Sequence, residues 1–147
     1  MCTMSTLVVG DVHACSEELR FVLESVQPRR VILLGDLFTK GPDPQGVWEL
    51  ILQYNAESVL GNHDYAVMHK DRFRNLDPQA LEWLKKRPMF IRGEVARQRE
   101  SQSWVVVHAG INPFGTTTQN QALILRRWPN DKDDSNPFWW QLYTGKE

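Results

Sequence analysis

Short apolar runs of β type alternate with stripes of helical period through the first half of the chain. Residues 7–10 (LVVG) are an apolar run of strand length, and Leu19, Val22, Leu23 and Val26 then fall at i, i+3, i+4 and i+7, one face of a helix that Pro28 stops. Ser16 stands where a cap belongs, and Glu17 and Glu18 behind it suit the positive end of the helix dipole. The pattern returns in residues 31–35 (VILLG), a continuous apolar strand of the kind buried on both faces. Asp43-Pro44 follows as an N-cap with proline at the first helical position, ahead of the stripe Val47, Leu50, Ile51 and Tyr54. Residues 58–61 (SVLG) predict a third strand, and Asp64 is expected to cap a short helix to about Lys70. A β-α-β-α-β-α order implies a parallel sheet.

The second half changes character. Asp77-Pro78 predicts a helix with Leu81 and Leu84 inward, ended by Pro88. Residues 89–92 and 104–107 predict two paired strands, and the polar residues 94–103 between them read as a loop. Residues 131–137 read as a solvated turn region. The last eleven residues, PFWWQLYTGKE, carry Phe138, Trp139, Trp140 and Tyr143. Exposing that much aromatic surface is unfavourable, so the segment either docks on the body or lacks something that covers it.

Composition narrows this little. The 147 residues are 41% hydrophobic and 24% charged, which fits one globular domain over residues 1–147. A net charge of -1 speaks against a partner such as long nucleic acid but leaves a small anion open. Two cysteines, Cys2 and Cys15, are the usage of a reducing compartment, so a cytoplasmic location is expected. The sequence holds no apolar stretch approaching the roughly 18 residues of a membrane span, so no membrane association is expected.

The chemistry gathers where the β runs end. Each is followed by polar residues: Gly10-Asp11-Val12-His13, Gly35-Asp36, Gly61-Asn62-His63-Asp64, and Val107-His108-Ala109-Gly110. In a parallel α/β sheet the carboxyl ends of the strands converge on one crevice, so side chains distant in sequence meet there. Any one fragment alone is a turn or a cap; four in succession, rich in Asp, Asn and His without a thiolate, suit manganese, iron or zinc.

In this order the four motifs resemble the calcineurin-type metallophosphoesterases, and GDLFTKGPDP, LGNHD and VVHAGINP resemble within them the branch of symmetrical diadenosine tetraphosphate hydrolase (ApaH-like), related to the serine/threonine phosphatases. The likeness runs from Leu7 to about Gly145. It implies an α/β fold, a β-sandwich flanked by helices (αββα), its second sheet incomplete because the Trp-rich segment ending Tyr143-Thr144-Gly145 resembles the approach to a further strand bearing a Gly-His ligand. It also implies two divalent metal ions, manganese foremost with iron and zinc as options. Asp11 and His13 would hold the first, Asp36 would bridge, and Asn62 with His108 would hold the second. Two cations clamp both sides of an in-line displacement and activate a water whose hydroxide attacks phosphorus, with His63 protonating the leaving oxygen. Lys40, Asn62, Arg126 and Arg127 are the expected phosphate contacts.

The chain departs from the family at three points. Ala14 follows Asp-x-His where relatives place glycine, and a positive φ there would cost about 1 kcal/mol. Thr39 and Lys40 replace the Asp-Arg of the protein phosphatases, so His63 lacks that carboxylate partner and the phosphate contact becomes a point charge instead of a fork. No histidine follows His108, and His69 reads as a surface residue. Nine of the seventeen basic residues lie between Lys70 and Arg99, mixed with acidic ones, a solvated face. Trp48 and Trp83 read as core, not as a platform for a base. The partner is then a small phosphorylated substrate: a nucleotide polyphosphate, a cap, polyphosphate or a phosphoprotein. The rival expectation is a truncated or degenerate family member that binds metal or anion with little turnover.

Overall fold

The computed structural model describes residues 5–69, 76–97 and 100–143. Cys2, Lys70, Arg99, Thr144 and Gly145 lie outside them, as do the other basic residues between positions 70 and 75. Contacts divide the chain into two compact units, Met1–Pro88 and Met89–Glu147.

The first unit is the expected α/β alternation. Strands β1 (Thr6–Val9), β2 (Arg30–Leu33) and β3 (Glu57–Ser58) form a parallel sheet in the order β1-β2-β3. Val31, Ile32 and Leu33 are 0–2% exposed, as a strand covered on both faces requires, and each such side chain contributes roughly 1.5–3 kcal/mol by burial. The third run is shorter than predicted and begins one residue earlier. It pairs with β2 only at Glu57 and Ser58, and Val59 adds one further bond from its N–H to the Leu33 carbonyl before the chain turns into the site loop.

Helix α1 (Ser16–Val26) buries Leu19 and Leu23 as its stripe predicts, while Val26 at its end stays 48% exposed. Its cap differs from the prediction. Cys15 occupies the cap position without a side-chain bond to the helix, and Ser16 is the first helical residue. Its hydroxyl donates instead to Asp43 Oδ2 at 2.5 Å, because the carboxylate that caps the next helix stands beside it. Gln27 ends α1 in the left-handed conformation, with Pro28 beyond.

Helix α2 (Pro44–Gln53) follows its signature: Asp43 accepts from the Gly46 N–H at 2.8 Å, and Val47, Trp48, Leu50 and Ile51 are buried. The Ser16 hydroxyl first, then the Gly46 N–H, holds the Asp43 carboxyl below its usual range. Replacing Asp43 by alanine is expected to cost about 1–2 kcal/mol, the value of an N-cap. Because the folded value is the depressed one, this contribution is complete above the unfolded carboxyl pKa of about 3.9 and fades as pH falls through the folded value. Urea unfolding of the wild type and Asp43→Ala at pH 7 and pH 3 should therefore show the gap narrowing in acid.

Helix α3 (Asn62–His69) and helix α4 (Pro78–Lys85) complete the unit. Asp77 caps α4 by accepting from the Gln79 N–H at 2.8 Å. Ala80 and Leu84 are its buried residues, and Leu81 is only half-buried, one position off the expected face. Trp48 is 2% exposed and meets Trp83 edge to face at 5.6 Å, as core aromatics do.

The second unit is built on a hairpin of β4 (Ile91–Arg97) and β5 (Glu100–Val106), antiparallel from Ile91↔Val106 to Arg97↔Glu100. The expected loop at residues 94–103 is thus mostly strand. Glu94, Val95 and Ala96 and their partners Ser103, Gln102 and Ser101 are exposed, so backbone pairing holds this ribbon without an apolar face to betray it. At its inner end Gly93 pairs with Trp104, and any side chain at Gly93 would overlap the indole.

Helix α5 (Gln119–Ile124) starts in a capping box in which the Gln121 N–H donates to the Thr118 hydroxyl and the Thr118 N–H to Gln121 Oε1. The aromatic segment docks within this unit through α6 (Trp139–Leu142): Trp139 Nε1 donates to the Ala109 carbonyl at 3.1 Å. Trp140, 52% exposed, stacks on Phe138 at 4.3 Å.

Candidate metal centre

Two loops at the carboxyl ends of β1 and β2 are laced into one scaffold. The His13 N–H donates to the Asp36 carbonyl and the Ala14 N–H to the Leu37 carbonyl, both at 2.7 Å, and the Asp43 N–H donates to the Ala14 carbonyl at 3.0 Å. This lacing holds backbone in conformations that single residues avoid: φ is 47° at His13, 58° at Ala14, 54° at Asp36 and 71° at Lys40. Each costs on the order of 1–2 kcal/mol, and such strain concentrates where side chains have to be aimed. Gly35, at φ 89°, lies so close to Gly61 that a Cβ would overlap the Gly61 backbone, so glycine is required there.

The positive φ foreseen at Ala14 is present, yet its methyl is fully buried. Ala14→Gly therefore trades about 1 kcal/mol of relieved backbone strain against about 0.8 kcal/mol of lost burial. Its unfolding midpoint in urea should move by no more than about 1 kcal/mol in equivalent stability. A loss well beyond that would show that the methyl's packing, and not the backbone, governs the position.

Asp64 ties the third loop to the other two. Completely buried, it accepts from the backbone N–H of Asp36 at 2.6 Å, Leu37 at 2.8 Å and Gly61 at 3.1 Å. Helix α3 starts at Asn62, so Asp64 lies in its first turn and not at the cap position expected of it: its bond to the Gly61 N–H reaches back to the residue before the helix, and the bonds to residues 36 and 37 are long-range. Burial raises its carboxyl to about 6, the neighbouring Asp36 charge adds to the rise, and the three N–H donors oppose it.

On this scaffold the polar side chains meet. Asp36 is 2% exposed. Its Oδ1 accepts from the His63 N–H at 2.9 Å, and its Oδ2 lies 3.8 Å from His13 Nε2. Asp11, half-exposed, brings Oδ2 to 3.6 Å from the same nitrogen, and a carboxylate oxygen of Asp11 lies within 4.8 Å of one of Asp36. With metal–ligand bonds of about 2.0–2.2 Å, neighbouring donors stand roughly 3.0–3.4 Å apart. The two His13 gaps exceed this by only a few tenths of an ångström, so the imidazole with either carboxylate suits one hard divalent cation, and Asp11 and Asp36 lie within 4.8 Å of each other. The His63 ring stands edge-on to His13, centroids 5.4 Å apart, and Asn62 opens α3 beside it. Lys40, an exposed residue, brings Nζ to 3.4 Å from His13 Nε2. His69 is exposed against Tyr65, as expected of a surface residue.

In the second unit His108 is half-buried just after β5. The two arginines differ. The Arg127 guanidinium donates to the Asn136 carbonyl at 2.7 Å and lies 4.2 Å from the Phe138 ring centre, whereas Arg126 is exposed, its N–H and that of Arg127 donating to the Asp131 carboxylate.

A parallel α/β sheet whose strand ends aim carboxylates and an imidazole at one point is an arrangement suited to a hard cation. The chain belongs to the calcineurin-like phosphoesterase family, which matches residues 4–145. It is 35% identical to the symmetrical bis(5'-nucleosyl)-tetraphosphatase of Klebsiella pneumoniae and 32% identical to that of Edwardsiella ictaluri, each match covering 97% of this chain and 56% of the relative. The chain thus spans about half the length of the curated relatives it matches. Among solved structures it is similar to a crystal structure of a proposed diadenosine tetraphosphatase, with a TM-score of 0.78 at 22% identity over 96% of this chain and 71% of that one. A metallophosphoesterase from Sphaerobacter thermophilus is a more distant likeness, with a TM-score of 0.57 at 24% identity over 86% of this chain and 53% of that one. The expected α/β metallophosphoesterase fold is therefore shown. Among the described residues no helix is long and apolar enough to cross a membrane.

Proposed function

We propose that this chain is a metal-dependent phosphoesterase that cleaves a phosphoanhydride of a small nucleotide, of the symmetrical dinucleoside tetraphosphate type. The observation that carries the reading is the approach of His13 Nε2 to the Asp11 and Asp36 carboxylates, 3.6 and 3.8 Å away, on loops held in strained backbone. Likeness to the symmetrical tetraphosphatases supports the substrate class.

In this proposal Asp11, His13 and Asp36 would hold one divalent cation, manganese by preference, and Asn62 and His108 would serve a second. When bound, the cations neutralise phosphate charge and activate water. Asp36 is aimed for this role, its Oδ1 fixed by the His63 N–H and its Oδ2 facing His13. That same N–H bond anchors the start of α3, so the His63 ring is carried on a fixed backbone to give its proton to the leaving oxygen. Lys40 and Asn62 contact phosphate. Of the two arginines we assign the substrate contact to Arg126, since Arg127 is committed to Asn136 and Phe138. The two units act as one domain, in the cytoplasm.

The test is chromatography of products from diadenosine tetraphosphate incubated with the protein and Mn²⁺. The proposal expects ADP as the sole nucleotide product, since symmetrical cleavage yields two identical halves. AMP with ATP would refute the symmetrical assignment. Failure on diadenosine tetraphosphate with turnover of a capped oligonucleotide or a phosphopeptide would refute the substrate class.

A further inference from the structure

His13 presents Nε2 to the two carboxylates, and something has to hold the ring that way round. Its other nitrogen, Nδ1, lies 3.3 Å from the Thr39 hydroxyl. An ammonium only donates, so Lys40 Nζ, 3.4 Å from Nε2, favours that nitrogen as an acceptor. The two ionised carboxylates, 3.6 and 3.8 Å from Nε2, are acceptors that by themselves would draw a hydrogen to that nitrogen, so an acceptor at Nδ1 is needed to oppose them. With the imidazole hydrogen on Nδ1, the Thr39 oxygen is placed to receive it.

The geometry points to Thr39 as a positioning residue that holds His13 in the Nδ1–H form with its Nε2 lone pair aimed between Asp11 and Asp36. The inference rests on the reading of these three residues as cation ligands. A metal-binding histidine is commonly oriented by what its second nitrogen bonds, and loss of such a partner typically weakens metal binding 10–100-fold. Thr39 itself is set by the site loop: it follows the buried Leu37 and Phe38 and precedes Lys40 in its left-handed conformation, half-buried and short of rotational freedom.

Thr39→Val keeps the shape and removes the hydroxyl; Thr39→Ser keeps the hydroxyl and removes the methyl. Nitrogen-15 spectra of metal-free protein at pH 8.5, where imidazole is ordinarily neutral, report the tautomer of each of the four histidines. The expected result is His13 as Nδ1–H in the wild type and Thr39→Ser, with a shift toward Nε2–H in Thr39→Val. Calorimetric titration with Mn²⁺ should show affinity about 10–100-fold lower in Thr39→Val and within a few-fold of wild type in Thr39→Ser. Melting curves of metal-free protein verify that both variants fold. An unchanged His13 tautomer in folded Thr39→Val, or a Thr39→Ser variant as impaired as the valine, overturns the inference. If the wild type binds no Mn²⁺, the proposed function fails instead, and the spectra alone still decide the part played by Thr39.

Discussion

Asp36→Asn is expected to lower metal-dependent hydrolysis by at least about 10³-fold, roughly 4 kcal/mol of barrier, while leaving the folded chain as stable as before or slightly more so. The amide oxygen can still accept from the His63 N–H, the contact now made by Oδ1. Its other end, facing His13 and Asp11 across less than 5 Å, turns from an anion into a neutral donor and no longer holds a cation. Removing the charge also relieves its repulsion of the buried Asp64, which that charge now pushes toward the protonated form. The two effects separate in one thermal-melting series with and without Mn²⁺: metal should raise the melting temperature of the wild type and not that of Asp36→Asn. Equal metal-induced shifts in both proteins would remove Asp36 from the site.

Asp64→Ala should give the largest loss of stability, about 3–5 kcal/mol out of the roughly 5–15 that holds a domain of this size together. Three buried N–H groups, on Asp36, Leu37 and Gly61, would lose their acceptor at once. Each costs about 1–3 kcal/mol when left unsatisfied, tempered by whatever water reaches the gap. Asp64→Asn keeps one acceptor oxygen and sets an amide NH₂ against the remaining donors, so its loss should fall between those of wild type and alanine. Urea unfolding orders the three. An alanine variant within about 1 kcal/mol of wild type would show that the loops hold their shape without this carboxylate. The consequence for function is direct, because the loop that Asp64 clamps is the one that carries Asp36.

Much of this was legible in the sequence because it is written locally. The β1 and β2 runs and the α1 and α2 stripes declare themselves by period, and Asp43-Pro44 and Asp77-Pro78 by residue type, and these elements formed as read. The hairpin beyond Glu94 was hidden because its exposed polar residues pair through the backbone and leave no alternation to read. Ser16 misled because a serine before acidic residues signals a cap, while its hydroxyl answered to Asp43, 27 positions on.

At the site, residue types after each strand gave Asp11, His13 and Asp36 together. The partners of those residues were not visible. Asp64 has the residue type of a helix cap, yet it lies inside the first turn of α3 and binds a loop 27 and 28 positions away, and Thr39 faces His13. A local signal names the side chain; only the folded chain says which distant backbone or ring it meets.

The most direct test of the central claim is the rate of p-nitrophenyl phosphate hydrolysis by the purified chain, with Mn²⁺ added and then withdrawn by a chelator. Metal-dependent hydrolysis that stops on chelation, returns when Mn²⁺ is restored and is lost in Asp36→Asn is the predicted result. A well-folded, metal-saturated chain that hydrolyses no faster than buffer, or one whose activity ignores the chelator, would contradict it.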